Sequence, residues 1–446
     1  MSRTTEPRIE GQLLRPGDDA YEQARHVFNS MVDRRPALIA RCARKEDVVA
    51  VVEFARETGA PLSIRGGGHN VAGNAVSDGG VMIDLSDIRS VRVDARAATA
   101  VAEPGATWFD FDHATHAHGL ATTGGLISST GVAGFTLGGG IGWLVRKHGL
   151  ASDNLVAAEV VTADGAVVQA DDDLLWGLRG GGGNFGVVTA FTFRMHPLTQ
   201  VMGGLVAHPR QRAVEVLRFF RDICADAPDE LTLIAALMTT PEGHPAIGIG
   251  ACYAGPREEA ERTLKPLREF GPPLIDQIGA LPYPVLQSAL DPTAPWGSRN
   301  YWKSDFMPDL SDRAIDLIVE QASRMRSPLA QIHVHQLGGA MARTAPDATA
   351  FHSRKAAFVY NLIGLWMAPD DDEANVAWAR ESFDALRPVS AGGAYVNFMG
   401  EETSDRVRAA YGPNYERLTA LKHRYDPTNL FRQNQNIPPW PGRLSV

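Results

Sequence analysis

Two triple-glycine runs constrain this chain more than any other feature. One is Arg65-Gly66-Gly67-Gly68-His69-Asn70, which follows the apolar stretch Leu62-Ser63-Ile64; the other is Leu137-Gly138-Gly139-Gly140-Ile141-Gly142. Adjacent glycines carry no side chain to hold a ligand away, and they reach positive φ without penalty. Successive backbone N–H groups in such a loop converge on an anion such as a pyrophosphate. The first run ends on a histidine, which the loop sets beside whatever carries that anion. Gly131-Val132-Ala133-Gly134 and Gly180-Gly181-Gly182-Gly183 fall in the same half of the chain. A single cluster reads equally well as a turn, whereas this concentration points to a large phosphate-bearing cofactor spread along several loops.

A dinucleotide fingerprint requires a strand, the glycines, a helix, and an acidic residue about 20 positions on. Asp164 lies near that distance, but the text after Gly142 is short and interrupted by Gly149. Neither a Gly-Lys-Ser/Thr loop nor a Gly-x-Ser-x-Gly elbow occurs, which argues against a Walker loop and a serine hydrolase. A length of 446 residues predicts two or more packed units. A net charge of −9 creates no field that would favour nucleic acid. The longest apolar stretch, Ala356 to Ala368, contains Asn361 and is short of the roughly 20 residues a spanning helix needs. Met1 to Pro16 is polar and lacks the apolar core of a signal peptide. The expectation is a cytoplasmic protein with neither a nucleic-acid nor a membrane partner. Cys42, Cys224 and Cys252 show no CxxC spacing, which predicts buried thiols rather than disulfides. His113, His116 and His118, and the pair His333 and His335, have metal-like spacing. No cysteine supports them, and no metal is expected.

Patterning predicts strands at Leu38–Ala40, Pro61–Ile64, Val81–Leu85, Thr99–Ala102, Leu155–Thr162 and Val187–Phe193. A helix over Glu46–Thr58 is expected to start at Asp47 and to bury Val48, Val51, Val52 and Ala55. After Pro197, strands at Ala246–Tyr253, His333–Leu337 and Phe358–Trp366 alternate with helices at Arg212–Ala225 and Ser311–Met325, the latter capped by Ser311. That alternation reads as a second unit of α+β character.

In order, Arg65–Asn70, Gly131–Gly142 and the run from Leu178-Arg179-Gly180 to Val187-Val188-Thr189 resemble the flavin domain shared by vanillyl-alcohol oxidase and p-cresol methylhydroxylase. The tail from Tyr425-Asp426-Pro427 to Asn434-Gln435-Asn436-Ile437 resembles the C-terminal signature of the berberine bridge enzyme branch. These motifs span Pro36 to Pro439. The resemblance implies an α+β protein whose two-part FAD-binding domain (1–199, core 34–199) is completed by segment 411–446. A substrate-binding domain with an antiparallel sheet would occupy 200–410. The cofactor implied is FAD, held by Arg65, Gly66, Gly67, Gly68, His69, Asn70, Thr130, Gly131, Gly134, Gly138, Gly139, Gly140, Gly142, Val188, Asn434 and Asn436. His69 would bond to the C8 methyl of the flavin, as suits a neutral imidazole, which is nucleophilic near pH 7.

Many relatives carry a second flavin bond from a cysteine ahead of the Gly-Val-x-Gly turn. Ile127 stands there in this chain, so a single bond through His69 is implied. Thr130 falls at the oxygen-gating position, and its small β-branched side chain leans towards O2 as electron acceptor. Ala394-Tyr395-Val396-Asn397-Phe398 resembles the family's Tyr-x-Asn-Tyr/Phe element. Tyr395 is accordingly the first choice of base, which requires a phenol pKa below the ordinary value near 10; a core tyrosine is the equal alternative. Asn361 and Gln336 are polar amides on apolar strands and candidates to line the substrate cavity beside Asn397. The resulting expectation is an oxidase that removes a hydride from a C–H next to O or N of a small molecule, with O2 reduced to H2O2. A dehydrogenase or oxygenase on the same fold is the alternative, and a flavin-binding protein with a degenerate site the non-enzymatic one.

Overall fold

The β-branched runs of the N-terminal half form two small sheets in the computed structural model, which describes residues 6–439. The first orders Gln12–Leu14, Leu38–Arg41, Val81–Asp84 and Leu62–Arg65, with Val81–Asp84 parallel to both of its neighbours. Parallel pairing needs a crossover, and the helix Lys45–Thr58 supplies it, burying Val48, Val51, Val52 and Ala55. Asp47 does not cap this helix as expected. It lies inside the first turn, and its carboxylate accepts from the backbone N–H of Glu10, Gly11 and Ala43 at 2.8, 3.0 and 2.9 Å, tying the N-terminal strand to the helix. The second sheet is antiparallel and orders Val91–Asp94, Thr99–Ala102, Val187–Arg194, Leu155–Val161 and Val167–Gln169.

Residues 200–366 build one large antiparallel sheet. Its central strands run in the order Gln200–Pro209, Pro245–Tyr253, Leu231–Thr239, Gln331–Gln336, Phe358–Trp366 and Arg299–Met307. One face buries a core against the helices Ala213–Ala225, Asp312–Ser323 and Asp372–Leu386. Ser311 caps the second of these helices through Ala314 N, as its sequence predicts. Side chains alternate across a strand, so Ile332 and Val334 enter this core while Gln331, His333 and His335 face a cavity on the other side. The three cysteines are free and buried, and burial pushes each thiol pKa up.

The helix Tyr415–Tyr425 and the segment after it return to the N-terminal half. Lys422 Nζ, fully buried, donates to Asn184 O at 2.8 Å, Phe431 O at 2.9 Å and Asp426 Oδ2 at 2.7 Å. Asn184 Oδ1 in turn accepts from Ile437 N at 3.0 Å. Residues 1–5 and 440–446, the outer ends of the Met1–Pro16 stretch and of the 411–446 segment, lie outside the described residues. Among the described residues no helix is long and apolar enough to cross a membrane.

The helix Trp108–His116 carries a buried acid. A capping box of Thr107 and Asp110 starts this helix and sets Asp112 on its inner face. Gln287 Nε2 donates to Asp112 Oδ2 at 3.0 Å, while Oδ1 has no partner. Burial pushes this carboxyl up to about 7. A folded-state pKa above the unfolded one stabilises the protein fully below about pH 4, and that stabilisation is lost as pH rises through 7. Asp112→Asn should therefore lose less stability than the parent between pH 5 and pH 8 in urea melts. The difference expected over that window is about 2–3 kcal/mol, since part of the effect of this shift is already lost between pH 4 and pH 5.

Candidate active site

The strand Leu62–Arg65 delivers the chain into the first glycine run, and the site begins where that run crosses another loop. A Cβ on Gly67 would lie 2.3 Å from Gly131 N and 2.5 Å from Gly131 Cα, and one on Gly131 would lie 2.4 Å from Gly67 N. The two backbones touch there and form one wall of a cavity of about 1340 Å3, its open mouth included. Gly66, Gly67, Gly68, His69, Asn70, Thr130, Gly131 and Gly134 all line it, as does Ile127 at the position of the missing cysteine. Arg65 does not. Its guanidinium is drawn onto buried Asp84, with Nε to Oδ1 at 3.1 Å, and also donates to His26 O.

His69 is held on three sides. Its Nε2 lies 2.9 Å from Ser129 Oγ, its ring stacks on Phe28 with centroids 4.4 Å apart, and Trp296 meets it edge-on at 5.3 Å. Burial pulls the imidazole pKa down to about 4, so it is neutral at pH 7. In the tautomer that donates Nε2–H to Ser129 Oγ, Nδ1 keeps a free lone pair.

The second glycine run departs from expectation. The space beside Gly138 is filled by Asn397, that beside Gly139 by Phe351, that beside Gly140 by Ala151 and Phe135, and that beside Gly142 by Gly124 O. None of these four glycines lines the cavity; they are small because the protein packs against them. Gly140 N and Ile141 N instead donate to Tyr395 Oη at 3.1 and 3.0 Å. Asn397 Nδ2 donates to the same oxygen at 2.9 Å and to Phe135 O at 2.9 Å. Tyr395 and Asn397 both line the cavity, on and beside a single 3-10 turn, Val396–Phe398, rather than on a strand. Burial raises the Tyr395 phenol to about 12 despite those three donors. The lowered pKa that a tyrosine base requires is thus reversed.

Asn361 lines the cavity, and its buried Oδ1 has no partner. Gln336 does not line it. Standing an odd number of residues from His333 and His335, it points to the opposite face, where Oε1 accepts from Leu233 N at 3.1 Å and Nε2 donates to Cys224 O at 3.2 Å. Val188 pairs with Val160 in the core of the second sheet, off the cavity wall. The Oδ1 atoms of Asn434 and Asn436 on the returning tail are buried without partners, and Asn434 Nδ2 reaches Gly183 O at 3.2 Å. Neither asparagine lines the cavity; the orphaned Oδ1 of Asn361 within it, with the backbones of Gly66–Gly68 and Gly131 along one wall, fits a polar cofactor such as FAD. Sequence reasoning did not select Phe28 or Ser129, and it weighed His333 and His335 only as metal ligands. Their period-two placement with Gln331 on one strand was the available signal for a shared face.

Fold and site together define an FAD-linked oxidoreductase with the vanillyl-alcohol oxidase type of FAD-binding fold. An FAD binding domain family matches residues 36–171, and a berberine and berberine-like family matches residues 394–438. An FAD-linked oxidoreductase of Bacillus subtilis, YgaK, is 32% identical over 97% of this chain and 98% of its own length. The (R)-6-hydroxynicotine oxidase of Paenarthrobacter nicotinovorans is 30% identical over 97% of each chain. The crystal structure of 6-hydroxy-D-nicotine oxidase from Arthrobacter nicotinovorans superposes with a TM-score of 0.89 at 28% identity, covering 97% of this chain and 99% of that one. The chain belongs to the berberine bridge enzyme-like family of FAD-linked oxidoreductases.

Proposed function

We propose that this enzyme is an oxidase with FAD tethered once, through His69, that takes a hydride from a C–H next to O or N of a small organic substrate. O2 is the final acceptor and H2O2 the product. The observation that carries this reading is His69 itself: neutral, fixed by Phe28, Trp296 and Ser129, and in the same cavity wall as the backbones of Gly66–Gly68 and Gly131. When bound, FAD supplies a ring that takes two electrons from the substrate and returns them to O2.

The chain's own residues do the rest. Ser129 orients the His69 ring for bonding through Nδ1, and Gly66–Gly68 with Gly131 leave room for the phosphates. Ile127, rather than cysteine, supports a single tether, and Thr130 keeps the wall small on the oxygen path. Tyr395 and Asn397 brace the turn at Gly140–Ile141 and shape the cavity's inner end. The likeness to oxidases acting on 6-hydroxynicotine and on chitooligosaccharides supports O2 as acceptor.

Acid precipitation of the purified yellow protein tests the tether. Flavin should stay with the parental pellet and leave with the His69→Ala pellet. Release from both would refute the covalent bond, and a colourless parent would refute the flavin reading.

A further inference from the structure

Of the residues lining the cavity, none carries a formal charge at neutral pH. The wall opposite the glycine loops is instead a polar strip of Gln331, His333, His335 and Asn361, flanked by Trp302, Ile363, Leu365 and Phe398. The strip is ordered by hydrogen bonds that run one way. Gln331 Nε2 donates to Thr293 O at 3.3 Å, which turns Gln331 Oε1 towards His333 Nε2 at 2.7 Å. An amide oxygen can only accept, so Nε2 of His333 carries the hydrogen and Nδ1 the lone pair. Directly across the strand pair from His333 stands Asn361, whose Oδ1 lacks a partner. His335, with its ring centroid 5.6 Å from that of His333, has an unpartnered Nε2 as well.

We propose that His333 takes up the hydroxyl proton of an uncharged, mainly apolar alcohol, with Gln331 setting the histidine's tautomer. The proposal rests on the oxidase reading above and gives its substrate class. The O–H bond breaks with its proton passing to His333 Nδ1, C=O forms, and the hydrogen of the adjacent C–H leaves with its two electrons to the FAD. As that hydrogen leaves, the substrate becomes a protonated carbonyl, a strong acid, so a weakly basic neutral imidazole suffices. Tyr395 does not serve here, because its burial outweighs the three donors to its oxygen and holds the phenol pKa above the ordinary value. Asn361 Oδ1 accepts from a further donor on the substrate, and Trp302, Phe398 and Ile363 cover its apolar body. A cationic amine or a carboxylate would meet no counter-charge in this wall, and burying an unpaired charge is costly.

Two measurements test this on the flavin-loaded protein. In 15N-histidine spectra at pH 7, with His333 assigned by the signals missing from His333→Gln, the ring should be neutral with hydrogen on Nε2, a preference lost in Gln331→Leu. An Nδ1–H tautomer in the parent would overturn the proposal. Anaerobic bleaching of the flavin absorbance is then followed with benzyl alcohol, 1-phenylethanol, benzylamine and mandelate. The two uncharged alcohols should bleach it, at rates about 100-fold lower or less in His333→Gln, as for loss of a general base, and slowed in Gln331→Leu. Undiminished bleaching in His333→Gln, bleaching only by benzylamine or mandelate, or none by either alcohol would overturn it. Absorbance before substrate is added separates these failures from loss of the flavin, which would overturn the oxidase reading and this proposal with it.

Discussion

Gly67→Ala is expected to give a protein that purifies without its yellow colour and melts well below the parent. The added methyl would stand 2.3 Å from Gly131 N and 2.5 Å from Gly131 Cα, and both obstacles are backbone, which no rotamer change relieves. Overpacking of this kind costs about 1–3 kcal/mol and sometimes more. Relief requires the Arg65–Asn70 and Thr130–Gly134 loops to separate, and those loops form one wall of the cavity. Loss of flavin should therefore exceed what the stability loss alone predicts. The comparison variant is Gly79→Ala, a glycine with φ of 62° and nothing within 4 Å of an added Cβ; backbone strain lowers its stability while leaving flavin content intact. Flavin-to-protein absorbance ratios and thermal melts on both variants check this, and a yellow Gly67→Ala protein would refute the close approach as the reason for glycine.

Lys422→Met is expected to destabilise the protein by about 3–5 kcal/mol, the usual result of removing one partner from a buried ion pair. Both side chains of the Lys422–Asp426 pair are fully buried. The ammonium holds Asn184 O and Phe431 O, and the carboxylate accepts from Leu430 N and Phe431 N at 2.7 and 2.8 Å. Without the lysine, Asp426 is a buried charge held by two backbone N–H groups and the Thr428 hydroxyl; Asn184 O loses this donor, and Phe431 O is left with Asn434 Nδ2. The double variant Lys422→Met/Asp426→Asn should recover part of the loss, because it removes the stranded charge. Denaturant unfolding of the parent and the two variants measures this. Equal stability of the single and double variants would show that the charge is not what the loss consists of.

Much of the architecture was legible because it is periodic. Phe358–Trp366 is the strand its apolar run around Asn361 predicts, and the Lys45–Thr58 helix buries the four residues its 3.6-residue spacing selects. The first glycine run was legible as backbone that lines a cavity, although its own missing side chains are turned towards protein, at Pro104 O, Gly131 and Trp296. The second was not, since a glycine that makes room for Asn397 or Phe351 looks the same in sequence as one that makes room for a phosphate. Gln336 was misread by a single position. Gln331, His333 and Gln336 are all polar residues on one strand, and only the strand's phase, set by pairing with Phe358–Trp366, decides which of them enter the cavity. Arg65 and Tyr395 share a different cause. Their local motifs are visible, but the partners that occupy them, Asp84 for one and the Gly140–Ile141 amides for the other, are set by tertiary contacts.

The tail's return to the Gly180–Asn184 loop also orders events during synthesis. The large sheet closes within residues 200–366 and has all three helices of its core once Asp372–Leu386 has left the ribosome. The flavin half has no such autonomy. Asn184 waits for Lys422, 238 residues later, and for Ile437, 253 residues later. A chain made from its N-terminus therefore completes its middle before its beginning, and flavin capture becomes a late step that reports on nearly the whole polypeptide.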